Sequence, residues 1–391
     1  MTNFDKPTVR RGTNCVKWDD DEQEDILPLW VADMDFEVAP PIKKAICERA
    51  EQGIFGYTHV PGDYYKSVIN WYGRRHHWHV ERDWILYTTG VVPAVSVCIK
   101  ALTKPGDKVV VLTPVYNCFF SSIRNTGCET VESQLLYHNQ TYFIDFVDFE
   151  KKCADPAVKI FLMCNPHNPA CRVWTDGELE RLNDICLRHH VKVISDEIHG
   201  ELTFPDIMYT PFGRVSQACL DNGIILCSSS KAFNTAGLQT ANIICNDPET
   251  RQKIDRVINT FEVCDLNPFG MAALMAAYNE GEEWLDELRE YVYGNYQALC
   301  EFFERELPDW KVTRSEGTYL AWVDIRATGM TSEALASLLK EKGHVRVCCG
   351  TIYGKTAGEG FIRINMATQR KRLMEGLHRI KKAVGTITVE Q

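Results

Sequence analysis

The chain has 391 residues, 45% of them hydrophobic and 25% charged, with a formal net charge of −10. That length supports more than one hydrophobic core, while the acid excess and the scattered Lys and Arg exclude the basic stripe that a nucleic-acid backbone demands. No run approaches the roughly 20 consecutive apolar residues of a membrane span.

The opening stretch MTNFDKPTVRRGTN lacks the apolar core of a signal peptide, so a cytoplasmic protein is expected. Residues 1–45 are rich in Pro, Asp and Trp with weak periodicity. They are expected to pack as a segment on a small C-terminal domain. In YTTGVVPAVS, Gly90 marks a strand-to-helix turn, with Pro93 in the first helical turn. Short β-branched runs follow: KVVVLTP (108–114), KIFLMCNP (159–166), VKVISDE (191–197), GIILCSSSK (223–231) and TANIICN (240–246). Such runs read as strands buried on both faces. Between them TDGELERLNDICLRHH (175–190) has a helical pattern, and Thr175 with Glu178 makes a capping box. Strands alternating with helices predict an α/β fold, a mostly parallel sheet sandwiched by helices.

After about residue 270 the pattern changes. One long helical stretch from Met271 runs toward Pro308, and TYLAWVDI, TSEALASLLKEKG, GEGFIRINMA and QRKRLMEGLHRIKKAV follow as strand, helix, strand and helix. This reads as a smaller α+β domain. The expected division is a 1–45 segment, a large domain over 46–285 and a small domain over 286–391. The sixteen cysteines lie mostly in apolar segments, with no CxxC pair; Cys348 and Cys349 are adjacent. They read as buried thiols, and neither a disulfide framework nor a metal site is expected.

In a parallel α/β sheet the functional groups gather at the carboxyl ends of the strands. Asp196, Lys231 and Asn165 each stand at such an end, and Gly90 at the turn into a helix. Singly, each has a structural account: a helix cap, a surface amine, a turn residue before proline, a plain turn. Together on one edge they suit pyridoxal 5'-phosphate. A lysine amine forms a Schiff base with the cofactor aldehyde and, once freed, acts as a base. A carboxylate keeps the pyridine nitrogen protonated. Amides at a helix N-terminus, here Gly90, Val91 and Val92, take the phosphate, and the Ser228 and Ser230 hydroxyls stand close in sequence to add donors.

Beyond single residues, WVADMDF, GIFGYTH, CNPHNP, SDEIHGEL, SSSKAFNTAGLQ and FIRINMA form a set spread over nearly the whole chain. On that set the chain resembles the fold-type I pyridoxal phosphate enzymes, and within them the cystathionine β-lyase group of the MalY and PatB kind. The resemblance implies the aspartate aminotransferase fold and a homodimer with its active site at the subunit interface. It implies that Lys231 carries the cofactor, that Asp196 pairs with the pyridine nitrogen, and that Asn165 and His199 stand near the ring oxygen. A packed structural histidine is the alternative, less favoured reading of His199. Tyr116 would stack on the ring, although a lone Tyr in an apolar run is more often core. Gly90, Val91, Val92, Ser228 and Ser230 would hold the phosphate, with Tyr57 reaching it from the other subunit. Arg363 would clamp the substrate carboxylate, and Ala32 would touch the substrate.

Arg363 also has an argument of its own. An arginine between Ile362 and Ile364 in a strand is costly to bury unless it meets an anion, and its fork fits a carboxylate; an interdomain salt bridge is the alternative. One departure is recorded: Gln239 stands eight residues after Lys231, where dicarboxylate aminotransferases carry an arginine. The expected reaction is α,β-elimination from an L-amino acid with sulfur on Cβ, such as cystathionine, cystine or cysteine, giving pyruvate, ammonia and a thiol or other sulfur product. A pyridoxal phosphate aminotransferase is the alternative, and a regulatory or binding protein on a retained enzyme scaffold is the second.

Overall fold

The β-branched runs pair as expected. In the computed structural model of the chain, which describes residues 2–385, they form a seven-stranded sheet. Its order is Ile85–Thr88, Ala241–Ile244, Gly223–Cys227, Lys192–Asp196, Val158–Cys164, Lys108–Thr113 and Glu129–Gln134. Gly223–Cys227 is buried along its whole length, with helices on both sides of the sheet, which is why it shows no polar alternation. Six strands run parallel, and Ala241–Ile244 alone is antiparallel to both neighbours. A strand buried on both faces reads the same in either direction, so its sense was not in its pattern.

The antiparallel strand matters for the site. The carboxyl ends of the parallel strands share one edge of the sheet, and there Ala241–Ile244 presents its amino end, preceded by Gln239 and Thr240. Residues from both senses of chain therefore meet at one rim. Helix Val91–Leu102 begins at this rim directly after Gly90. Its buried face (Val91, Ala94, Val95, Cys98) joins Val109, Val111, Ile194 and Ile224 of the sheet in one apolar cluster. Helix Asp176–Arg188 carries the anticipated capping box: Thr175 Oγ1 accepts the Glu178 amide at 3.2 Å, and Glu178 Oε2 accepts the Thr175 amide at 2.9 Å.

The long helical stretch toward Pro308 is two helices, Pro268–Glu280 and Glu282–Glu306. They break at Gly281, where a Cβ would come within 2.6 Å of the Ala277 carbonyl and 2.7 Å of Phe233. Apolar periodicity continues across that joint, so the sequence pattern hid it. A second sheet, Lys311–Val312, Leu320–Asp324, Phe361–Asn365 and Cys348–Cys349, is antiparallel throughout. Helices Ser332–Glu341 and Arg370–Gly385 accompany it in the C-terminal part.

The N-terminal segment lies against this C-terminal part. Leu27–Pro28 pairs in parallel with Val345–Arg346, and Arg346 bonds Asp20 and Asp21 at 2.7 and 3.0 Å. Lys17 and Asp35, both fully buried side chains, pair at 3.0 Å, and Arg10 adds a second cation to Asp35. All sixteen cysteines are free thiols, most of them buried. Among the described residues, no helix is long and apolar enough to cross a membrane.

Candidate active site

A cavity of about 310 Å³ opens at the shared rim of the large sheet. One wall is the turn from Thr89 to Pro93, where the first amides of helix Val91–Leu102 and its dipole favour an anion. Val91 and Val92, which on hydropathy alone would be core, line it because they open that helix. Gln239 lies on the wall as well. Its neutral amide there leaves the anion to the helix terminus and to hydroxyls such as that of Ser230, also on the wall.

Lys231 and Asp196 face the same space. Lys231 Nζ donates to the Ala32 carbonyl at 2.6 Å. Burial lowers the pKa of the amine and Arg363 lowers it further, while Asp33 and Asp196 oppose this. Asp196 Oδ1 accepts the Ile198 amide at 3.1 Å. Burial outweighs that bond and the charge of Lys231, and lifts the carboxyl to about 7. His199 is buried on the wall, with its ring edge toward Tyr319 at 5.8 Å. Its Nδ1 has no hydrogen-bond partner among the described residues, and burial with Lys231 and Arg363 pushes its pKa down to about 3, so the ring is neutral. Tyr116 lines the cavity from the loop after Lys108–Thr113.

Arg363 is buried behind the wall. It donates to Asn168 Oδ1 at 3.2 Å and to the Trp30 carbonyl at 3.0 Å, and its guanidinium lies 4.8 Å from the Tyr353 ring centre. Its Nε has no hydrogen-bond partner among the described residues. No acidic partner appears among these contacts, which leaves the guanidinium's charge available to an anion.

Besides Arg363, three residues anticipated at the site stand off the cavity wall. Asn165 points away from the cavity: its Nδ2 donates to the Thr210 carbonyl at 3.2 Å and its Oδ1 accepts the Trp174 amide at 3.3 Å. The asparagine on the wall is Asn168. A tight turn returns the chain to the rim, closed by His167 N to Arg172 O and Cys171 N to His167 O, both 2.7 Å. Proximity to the strand end selected the first Asn-Pro of CNPHNP, whereas the turn delivers the second. Ser228 lies behind the wall: its Oγ bonds the Thr240 carbonyl at 2.5 Å and the Ser230 hydroxyl at 2.6 Å. Tyr57 is fully exposed in the irregular 53–61 stretch and is not on this cavity's wall. Tyr319, which sequence reasoning did not single out, donates to the Ala32 carbonyl at 3.0 Å.

The asparagine exchange has a direct test. Asn165→Ala is expected to cost about 1–3 kcal/mol of stability by stranding buried polar groups, while Asn168→Ala lowers activity with less effect on stability. Urea denaturation beside steady-state kinetics separates the two, and the reverse pattern would put Asn165 back in the site.

The donor set fits pyridoxal phosphate on the structure's own terms. A buried carboxyl held near neutrality lacks only a cationic N–H opposite it, His199 offers an unpaired ring nitrogen, and a helix N-terminus waits for an anion. Asp196 would hold the pyridine nitrogen, Gly90 to Val92 with Ser230 the phosphate, and Lys231 the aldehyde carbon. The raised carboxyl has a stability cost with a definite sign. Between its unfolded pKa of about 4 and the folded value of about 7, the folded chain binds more protons, so stability falls as pH rises through that window. Asp196→Asn removes this cost, worth at most about 4 kcal/mol. The cofactor-free variant is therefore expected to melt above the cofactor-free wild type at pH 8 and close to it at pH 4. A melting difference independent of pH would refute the assignment.

Comparison with known proteins agrees with this geometry. The chain matches the aminotransferase class I and II family description over residues 24–380. It is 40% identical to cystathionine beta-lyase PatB of Bacillus subtilis, covering 98% of this chain and 100% of that protein. It is 32% identical to protein MalY of Escherichia coli, covering 99% and 100%. Among solved structures it resembles cystalysin from Treponema denticola, which contains a pyridoxal 5'-phosphate cofactor, with a TM-score of 0.96 and 34% identity over 99% of this chain and 100% of that one. A rim that gathers a lysine, a buried carboxyl and a helix N-terminus, in a chain alike to these proteins end to end, places it in one lineage: the protein belongs to the aminotransferase class I and II family.

Proposed function

We propose that the protein is a pyridoxal phosphate-dependent carbon–sulfur β-lyase that cleaves L-cystathionine or a related β-thio amino acid by α,β-elimination. The observation that carries this reading is the meeting of Lys231, Asp196 and Asn168 at one cavity, with Arg363 bonded to Asn168 behind its wall, in a chain 40% identical to a cystathionine beta-lyase over 98% of its length.

The substrate carboxylate docks on Arg363, whose free charge and fork geometry suit it, with Asn168 orienting the same guanidinium. That places the substrate Cα beside Lys231. Pyridoxal phosphate bound there supplies an electron sink for the pair left at Cα. The Lys231 amine takes the Cα proton onto Nζ, helped by a pKa that burial lowers. The departing sulfur leaves Cβ with its bonding pair, and the remaining three-carbon fragment hydrolyses to pyruvate and ammonia. Asp196 would face the cofactor nitrogen, whose positive charge would draw the carboxyl into its ionised form, and neutral His199 offers a hydrogen bond without competing for the proton.

The reading extends to a homodimer. Tyr57, fully exposed here with Ile54 and Phe55 also exposed beside it, is assigned to the phosphate end of the partner's cavity. A cytoplasmic location goes with it.

Purified protein loaded with cofactor is to be given L-cystathionine, with pyruvate followed continuously. Steady pyruvate release supports the lyase. Conversion of the cofactor to its amine form, with pyruvate absent and an added α-keto acid consumed, would replace it with an aminotransferase. Stable cofactor binding without either reaction would leave a binding protein on an enzyme scaffold.

A further inference from the structure

The irregular segment 29–36 crosses the site as a strap, and nearly every carbonyl on it is held by a side chain from elsewhere. The Trp30 carbonyl accepts from Arg363 at 3.0 Å. Asn365 Nδ2 reaches the carbonyls of Val31 and Asp33 at 2.5 and 2.6 Å. Between those two lies the Ala32 carbonyl, which accepts from Lys231 Nζ at 2.6 Å and from the Tyr319 hydroxyl at 3.0 Å. Asn234, three residues past Lys231, holds the far end of the strap through Met34 and Phe36. Arg363 and Asn365 stand two apart on strand Phe361–Asn365, so both side chains leave the same face. Asn365 is fully buried, and its Oδ1 is fixed by the Ala367 amide at 2.8 Å, which aims Nδ2 at the strap.

We propose that Asn365 is a positioning residue for Lys231: it clamps the peptides on either side of Ala32 so that the Ala32 carbonyl meets the lysine Nζ. The strand that carries the carboxylate clamp thereby also sets where the amine rests. When Lys231 has taken the Cα proton, its third N–H⁺ has a fixed acceptor in that carbonyl, and the ammonium is held where the proton was collected. No covalent step is added, and the proton stays on Nζ until it is passed on. Arg363 and Asp196 act on the same amine from the small sheet and the large sheet, and Asp33 and Cys118 from the strap and the helix after Tyr116. Their charges are unchanged by a neutral substitution at residue 365.

This inference rests on Lys231 being the base, and its test has one readout that does not. In the full-length chain stripped of cofactor, lysine amines carrying ¹³C-methyl groups are titrated by NMR, with Lys231 assigned by comparison with Lys231→Arg. Asn365→Ala is expected to lower the Lys231 midpoint, because the ammonium loses its aligned acceptor. In the cofactor-loaded enzyme the same variant is expected to lower kcat on the order of 10- to 100-fold, as misplacement of a catalytic group does, with KM nearly unchanged. Asn365→Ser retains one short donor; it should recover part of both effects, and it replaces the alanine variant if that chain does not fold. An unchanged midpoint, or a change confined to KM, would overturn the proposal. Absence of any lyase activity in the wild type would refute the proposed function yet leave the titration result to stand or fall alone.

Discussion

Lys231→Ala is expected to abolish turnover and, with it, the visible absorbance that a covalently held cofactor gives the purified protein. The general-base contribution by itself is about 100- to 10,000-fold, and loss of the covalent anchor adds to it. Geometry makes the effect hard to rescue within the chain. Lys231 is the amine on the cavity wall, and His199, buried there with a pKa near 3, is a poor substitute base. Absorbance spectra and pyruvate release measured on the same sample decide the matter. Retention of both the absorbance and the turnover in the variant would show that the lysine carries neither role.

Arg363→Ala is expected to cost roughly 2–5 kcal/mol of transition-state binding, the range for truncating one member of a buried, hydrogen-bonded charge pair. At about 1.36 kcal/mol per tenfold change, kcat/KM falls roughly 30- to 5,000-fold. Arg363→Lys should recover little, because an ammonium cannot reproduce the bidentate fork or the contact with the Tyr353 ring. The expected signature is a rise in KM for amino-acid substrates with cofactor retention intact. A variant that loses cofactor but keeps its KM would place Arg363 on the wrong ligand. A substrate analogue lacking the α-carboxylate offers a second check: wild type and variant should handle it alike.

Much of this site was legible because the fold confines it to strand ends. Asp196 closes a short, buried, β-branched strand, Lys231 lies four residues past the end of the next, and Gly90 directly precedes a helix with an early proline. Where the chain runs straight from sheet to rim, position in sequence is position in space. Asn168 escaped because Asn165, directly after the strand, offers the same side chain. Asn168 is four residues past the strand end, and the turn through His167 to Arg172 carries it back to the rim. Ser228 was placed on the wall because hydroxyl chemistry is visible in a sequence; that its Oγ is already engaged by the Thr240 carbonyl is not.

The sequence by itself determined the alternation of strand and helix, the burial of the central strands, the capping box at Thr175, and which residues carry amine, carboxylate and guanidinium chemistry. These follow from local periodicity and residue type, which neighbouring residues alone decide. The tertiary structure decided the sense of Ala241–Ile244, the break at Gly281, the choice of Asn168 over Asn165, and the strap that brings Ala32 to Lys231 across 199 residues of chain. Each depends on partners distant in sequence: a strand's direction on its neighbours in the sheet, a helix break on the side chain packed against it, and an asparagine's role on which polar groups its amide already meets. Hydrogen bonding saturates, so a side chain committed to the scaffold is no longer free for a ligand, and only the folded chain shows which commitments have been made.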